Sequence, residues 1–137
     1  RAWTYIRPYC RRFRVTEKEV VNLLELSEIA RNLDGFVWMP GMLGIYKPRS
    51  KGIDSHYKTR FREGMSVRNM SEWLVPDLLD ASTAGAMFHL LLNLGAQATH
   101  GQYGDIVVQF DEDETVHRGR FLGEACAKAV IARGSWA

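Results

Sequence analysis

Asp80-Ala81-Ser82-Thr83-Ala84-Gly85-Ala86-Met87-Phe88-His89-Leu90-Leu91-Leu92-Asn93-Leu94-Gly95 is the stretch on which the fold of this chain turns. Asp, Ser and Thr side chains accept hydrogen bonds from the free N–H groups of a first helical turn, and glycine readily takes the left-handed conformation that ends one. The stretch therefore predicts a helix over 83–94. It is apolar over most of its circumference, so it is expected to be the most buried helix. Downstream, Ile106, Val107 and Val108 within Asp105 to Phe110 predict a strand, and the acidic turn Asp111 to Glu114 leads to a second, Thr115 to Arg118. The two make an antiparallel hairpin. Ala125, Ala127, Ala129, Val130 and Ile131 then predict an Ala-rich helix over 123–133, stopped at Gly134. Residues 80–134 thus read helix, strand, strand, helix.

Upstream, Thr16 followed by Glu19 is a capping box, in which hydroxyl and carboxylate each satisfy a free N–H at a helix start. Val20, Leu23, Leu26, Ala30 and Leu33 continue it as an apolar stripe, and Gly35 stops it, which predicts a helix over 17–34. Before it, Trp3 to Val15 reads as an extended edge strand, with Trp3, Tyr5, Tyr9 and Phe13 at odd positions and Pro8 opposing a helix. After it, Phe36 to Met39 and Met42 to Tyr46 flank Pro40-Gly41, a dipeptide suited to a type II turn, and predict a hairpin. Lys47 to Gly64 has no sustained periodicity and reads as a long basic loop. The fold class is α+β: a two-layer sandwich of antiparallel hairpins packed against three main helices. Residues 1–64 form a basic strand-helix-hairpin half, residues 65–137 a helix-hairpin-helix half, and the two are expected to share one compact domain.

The chain has 137 residues, 46% hydrophobic and 25% charged. No apolar run approaches the ~18 residues that a membrane helix needs, so no membrane partner is expected. A chain of this length buries enough surface to hold a core without disulfides or metal. Cys10 and Cys126 are too few and too far apart for a disulfide framework or a zinc site, which points to a cytoplasmic protein. The net charge of +2 hides a division, because residues 1–71 carry 14 Lys or Arg against 7 Asp or Glu, and residues 72–137 carry 4 against 9. Such a dipole steers anionic partners to one half, or lets two copies meet head to tail. The sequence begins at Arg1, which suggests a processed, trimmed or partial chain; Arg62-Glu63-Gly64 before Met65 also allows a shorter product starting at Met65.

The run Trp73-Leu74-Val75-Pro76-Asp77-Leu78-Leu79-Asp80-Ala81-Ser82-Thr83-Ala84-Gly85, with Gly123-Glu124-Ala125-Cys126-Ala127-Lys128-Ala129-Val130 in the last helix, carries a resemblance. Residues 65–134 resemble small bacteriophage and prophage proteins of unassigned function. The resemblance implies a two-layer helix and sheet sandwich, and it brings no catalytic residue with it. One departure stands out. Arg120-Phe121-Leu122 occupies the place where a Ser or Thr cap is expected before the last helix.

Chemistry-bearing residues are sparse. Cys10 beside Arg11 and Arg12 could have a lowered pKa, with His56, His89, His100 or His117 as base, but no spacing supports a pairing. Cys126 among alanines reads as a small core residue, His89 as a packed histidine and His117 as a strand residue near solvent. The histidines are separated by 33, 11 and 17 positions, without a Cys-x-x-Cys or His-x-x-x-His, so no metal is expected. Asp111, Glu112, Asp113 and Glu114 lack the ligand alternation and glycine of a calcium loop and read as a solvated hairpin tip. Neither phosphate-binding glycine motif occurs, and no cofactor is expected.

Two functional readings remain. The first is a non-enzymatic, phage-type accessory or binding protein that acts through protein–protein contacts, with a second copy of itself as one candidate partner. The alternative is a nucleic-acid-binding protein in which basic residues neutralise phosphates and aromatic rings stack on unpaired bases. Its residues would be Arg11, Arg12, Arg14, Lys47, Arg49, Lys51, Tyr57, Lys58, Arg60, Phe61 and Arg62.

Overall fold

A computed structural model describes residues 10–46 and 58–137. Within them lie four α-helical segments, a short 3-10 helix (Val67–Asn69) and two three-stranded antiparallel sheets, an α+β fold compatible with a two-layer sandwich. The long helices are α1 (Glu17–Arg31), α2 (Ala81–Leu92) and α3 (Leu122–Arg133). One sheet runs β2-β1-β3, from β1 (Leu43–Tyr46), β2 (Lys58–Arg60) and β3 (Leu74–Pro76). The other runs β4-β5-β6, from β4 (Ala96–His100), β5 (Ile106–Phe110) and β6 (Val116–Gly119).

The first helix starts where the capping box places it. Glu19 N–H donates to Thr16 Oγ1 and Thr16 N–H to the Glu19 carboxylate, both at 3.1 Å. Its buried face is Val20, Leu23, Leu24, Ser27 and Ala30, while Leu26 and Leu33 sit half-buried at its margin. The strand expected up to Val15 is not formed at its described end, because residues 10–13 are helical. Arg14 takes a left-handed φ of +55°, and Val15 N–H bonds back to Cys10 O while Arg14 N–H bonds Arg11 O. Those two bonds close a helix C-terminus, and they outweigh the alternation that suggested a strand. Trp3, Tyr5, Pro8 and Tyr9 lie outside the described residues.

The hairpin expected about Pro40-Gly41 is half right. The turn is there, with Met42 N–H on Met39 O at 3.0 Å and Gly41 at φ +99°. Residues 36–39, however, form no strand. Trp38 is buried, and Phe36 meets both Trp38 and Trp136 edge-on at 5.2 and 5.7 Å. Strand β1 pairs instead with β2 (Leu43 opposite Arg60) and with β3 (Ile45 opposite Val75). Part of the expected basic loop is thus a strand. Strand β4 also goes beyond the reading of 80–134, because Ala-Gln-Ala-Thr-His lacks the bulky β-formers that mark a strand.

The core is organised around α3, which packs on α1, α2, β5 and β6. Ala125, Ala127 and Ala129 have no exposed surface, and their small side chains let four elements approach one helix closely. Gly123 permits the closest approach, since a Cβ there would run into the Leu78 carbonyl. The helix starts at Leu122 without a capping side chain, and Glu124 reaches back to accept from Arg120 N–H at 2.7 Å. Helix α2 is not the most buried one. It buries only Thr83, Ala84, Met87 and Leu91, because its remaining circumference has no described element against it. A single buried cluster takes Val20, Met42 and Ile45 from the first half and Met87, Val108 and Val130 from the second. Trp136 closes it, its indole N–H donating to Ala30 O at 2.7 Å.

Candidate interaction surface

Lys47, Arg49, Lys51 and Tyr57 lie outside the described residues, and the others of the basic-aromatic set are dispersed. Arg11 and Arg12 are exposed on the helical segment before α1, where the Arg12 guanidinium lies 5.2 Å from the Phe13 ring centroid. Arg14 turns its carbonyl to Arg120. Lys58 and Arg60 are on β2, and Arg62 is exposed beyond it. Phe61 is a correction: its ring is buried in the core at 6% exposure, so in this structure it cannot stack on a base. Arg60 has structural partners of its own. Its guanidinium donates to both Asp80 carboxylate oxygens, at 2.9 and 3.0 Å, and to Gly41 O.

Asp80 is the node of that arrangement. It also accepts from Thr83 N–H and Thr83 Oγ1, while Thr83 Oγ1 receives Leu43 N–H, so one carboxylate joins β1, β2 and the start of α2. Burial alone would push its pKa up. The Arg60 and Thr83 bonds outweigh that and hold it below the ordinary 3.8.

Both thiols are held above the ordinary thiol value. Burial pushes Cys126 up to about 12. Cys10 is also raised, by burial and by Glu17 and Glu19, against the lowering expected from Arg11 and Arg12. His89 is exposed and not packed as expected, since it lies on the open side of α2; His100 is exposed and His117 half-buried. Among the described residues no three His, Cys, Asp or Glu side chains gather to hold a metal. Beside the acidic tip, a groove of about 270 Å³ is lined by Leu94, Phe110, Asp113, His117 and Arg133 among others. Two of its polar side chains, Asp113 and Arg133, are already engaged within the chain. Thr115 N–H donates to Asp113 at 2.9 Å and holds that carboxyl below its ordinary value, and Arg133 lies over the Phe110 ring while donating to Ser135 O.

The feature that remains open is backbone. In an antiparallel pair, alternate residues turn their N–H and C=O toward the partner, and those between turn them outward. On β3 the outward residues are Leu74, whose N–H bonds Ser71 O, and Pro76, which has no N–H and whose carbonyl accepts from Ser27 Oγ. On β2 they are the charged Lys58 and Arg60. On β6 they are Val116 and Arg118, and Lys128 Nζ covers the Arg118 carbonyl at 3.0 Å. Pro, Lys, Arg and such covers are the devices by which proteins keep sheet edges from pairing. Strand β4 has none of them. Asp111 N–H donates to Gly95 O and Gly101 N–H to Asp105 O, so the backbone groups of Gln97 and Thr99 face β5, and those of Ala96, Ala98 and His100 face outward. The strand carries no Asp, Glu, Lys, Arg or Pro; Ala96 is 3% exposed, Ala98 is half-buried, and Gln97, Thr99 and His100 are exposed. An edge of this kind escapes a search for side-chain motifs. Its only sequence signal is the absence of charge and proline in Ala96 to His100.

No helix of the described residues is long and apolar enough to cross a membrane. No protein-family model, curated protein or solved structure matches this chain.

Proposed function

We propose that this chain is a non-enzymatic binding protein that works through protein–protein contact, with the outer edge of β4 accepting an extended segment of its partner. The observation that carries this reading is that β4, among the described edge strands, is the one with no proline, no charged residue and no side chain covering its outward backbone groups. Strand addition at such an edge draws affinity from main-chain hydrogen bonds, which the outward N–H and C=O of Ala98 and His100 supply. The accessory role of phage type belongs to the same proposal and rests on the resemblance of residues 65–134. So does a cytoplasmic setting, which fits the unpaired thiols of Cys10 and Cys126.

The test is capture from lysate with nuclease present, using the wild-type chain and Ala98→Pro as parallel baits. Proline removes an outward N–H and leaves the ladder to β5 intact, as natural edge prolines do. The reading expects a partner that survives nuclease and is lost with Ala98→Pro. Capture that nuclease abolishes, and that Ala98→Pro leaves unchanged, transfers the function to Arg11, Arg12 and the other basic residues.

A further inference from the structure

The β4 edge has properties that narrow its occupant. Building on strand addition at that edge, we infer that the segment it accepts is β4 of a second copy, paired antiparallel about a two-fold axis at Thr99, so that two three-stranded sheets become one of six strands.

The register follows from exposure. Ala96 is 3% exposed, so the outward groups open to a partner are those of Ala98 and His100. An antiparallel strand that uses both, and is itself β4, sets Ala98 of one copy against His100 of the other. Thr99 then faces Thr99. That position is a non-hydrogen-bonded pair, where side chains come closest, and Thr–Thr is among the favourable cross-strand pairs. Because β4 carries no charge, no like-charged residues are forced together within the strand. A two-fold contact requires a surface that is its own complement, and this edge meets that condition.

Side chains outside β4 give independent support. Beyond His100 the chain leaves the strand in the β4–β5 turn, and the register points that turn, with Tyr103, toward the Gly95 end of the second copy's β4. Gly95 N–H bonds Leu92 O, which places the end of α2 at the same spot. Tyr103 is 88% exposed and Leu92 48%, and these are the bulky apolar residues left uncovered near β4. The pairing would cover both. It also brings together two halves in which Asp and Glu outnumber Lys and Arg by nine to four over residues 72–137. Salt therefore strengthens this dimer by screening, the reverse of its effect on a head-to-tail contact between the basic and acidic halves.

The experiment is sedimentation velocity over a concentration series at low and high salt, on the wild-type chain and on Ala98→Pro, Thr99→Lys and Tyr103→Ala. The wild-type chain is expected to shift from one to two chain masses with concentration, at lower concentration in high salt. Thr99→Lys sets like charges directly opposite one another and is expected to abolish the shift, as is Ala98→Pro, while Tyr103→Ala moves it to higher concentration. Thr99→Lys changes an exposed side chain only, so it answers the question even if Ala98→Pro does not fold. In a Cys10→Ser background, Thr99→Cys is expected to form an intermolecular disulfide under mild oxidation, since facing residues of such a pair lie within disulfide reach. A wild-type chain of one mass at every concentration overturns the inference. So does a dimer that Thr99→Lys leaves intact or that salt dissociates. If the chain stays monomeric while Ala98→Pro still abolishes capture of another protein, the second copy is excluded and the strand-addition reading survives. If neither depends on Ala98, both fall.

Discussion

Helices α2 and α3 are each 12 residues long, and they differ in what they carry and in what they bury. Helix α2 carries Phe88, Leu90, Leu91 and Leu92, yet it buries one face and leaves Leu92 48% exposed. Helix α3 owes most of its buried residues to alanine and glycine, and it is the element that others surround. A large side chain gains more from burial, but it also keeps neighbouring backbones at a distance. A helix on which several elements converge must be narrow. Hydrophobicity therefore tells which helix gains from a core, and side-chain volume tells which can stand at its centre.

Substitutions on the two helices test that distinction. The largest effect is expected at Leu91, which has no exposed surface; Leu91→Ala should cost ~2–5 kcal/mol in denaturant unfolding. A variant with an unchanged melting temperature would remove α2 from the core altogether. Next comes Ala129→Leu on α3. Leucine is a good helix former, yet here it is expected to destabilise by ~1–3 kcal/mol, because the space around Ala129 is filled. A neutral result would mean that the neighbours of α3 are not held close by its small residues.

The helix starts sharpen the comparison, since α2 has a capping side chain and α3 has none. Asp80→Ala should cost ~0.5–2 kcal/mol as a lost cap. Asp80→Asn keeps a cap-forming residue but removes the charge opposite Arg60. The depressed pKa of Asp80 means that its stabilising contribution is present above the ordinary Asp value of 3.8 and is lost as pH falls through the lower folded value. The thermal stability of wild type should therefore fall on going from about pH 5 into acid, and Asp80→Asn should flatten that slope. Equal slopes would deny the Arg60–Asp80 pair any part in acid stability. The smallest effect is expected at Leu92, where Leu92→Ser should lie within ~0.5 kcal/mol of wild type in the monomer. A larger loss would mean that α2 is covered on both sides.

How much of this was legible in the sequence depended on whether a signal was local. Thr16 with Glu19, Pro40-Gly41 and Gly134 act within a few residues of themselves, and each marks the boundary or turn that it suggested, while Asp80 caps a helix that begins two residues before the expected 83. Ile106 to Phe110 announced a strand by composition alone. Partnership was another matter. Nothing near Lys58-Thr59-Arg60 tells that it pairs with β1, and the aromatic pattern at 36–39 serves packing against Trp136, a residue about a hundred positions away. The open edge was hidden for the same reason. Whether an uncharged strand is an edge or a centre is decided by its neighbours, which no residue of β4 specifies.

The position of α3 along the polypeptide has a bearing on how the molecule is made. A ribosome delivers α1, both strands of the first pairing, α2 and the second hairpin before it delivers residues 122–133, on which most of them pack. Until then their apolar faces have no common surface to close upon, and the contact from Trp136 to Ala30 spans nearly the whole described chain. Contacts of such long sequence separation form late and slowly, and chains waiting for them are the ones that aggregate. Nascent chains halted before Leu122 should therefore be captured by chaperones and cut by proteases along their whole length, and protection should arrive in one step when the alanine helix emerges.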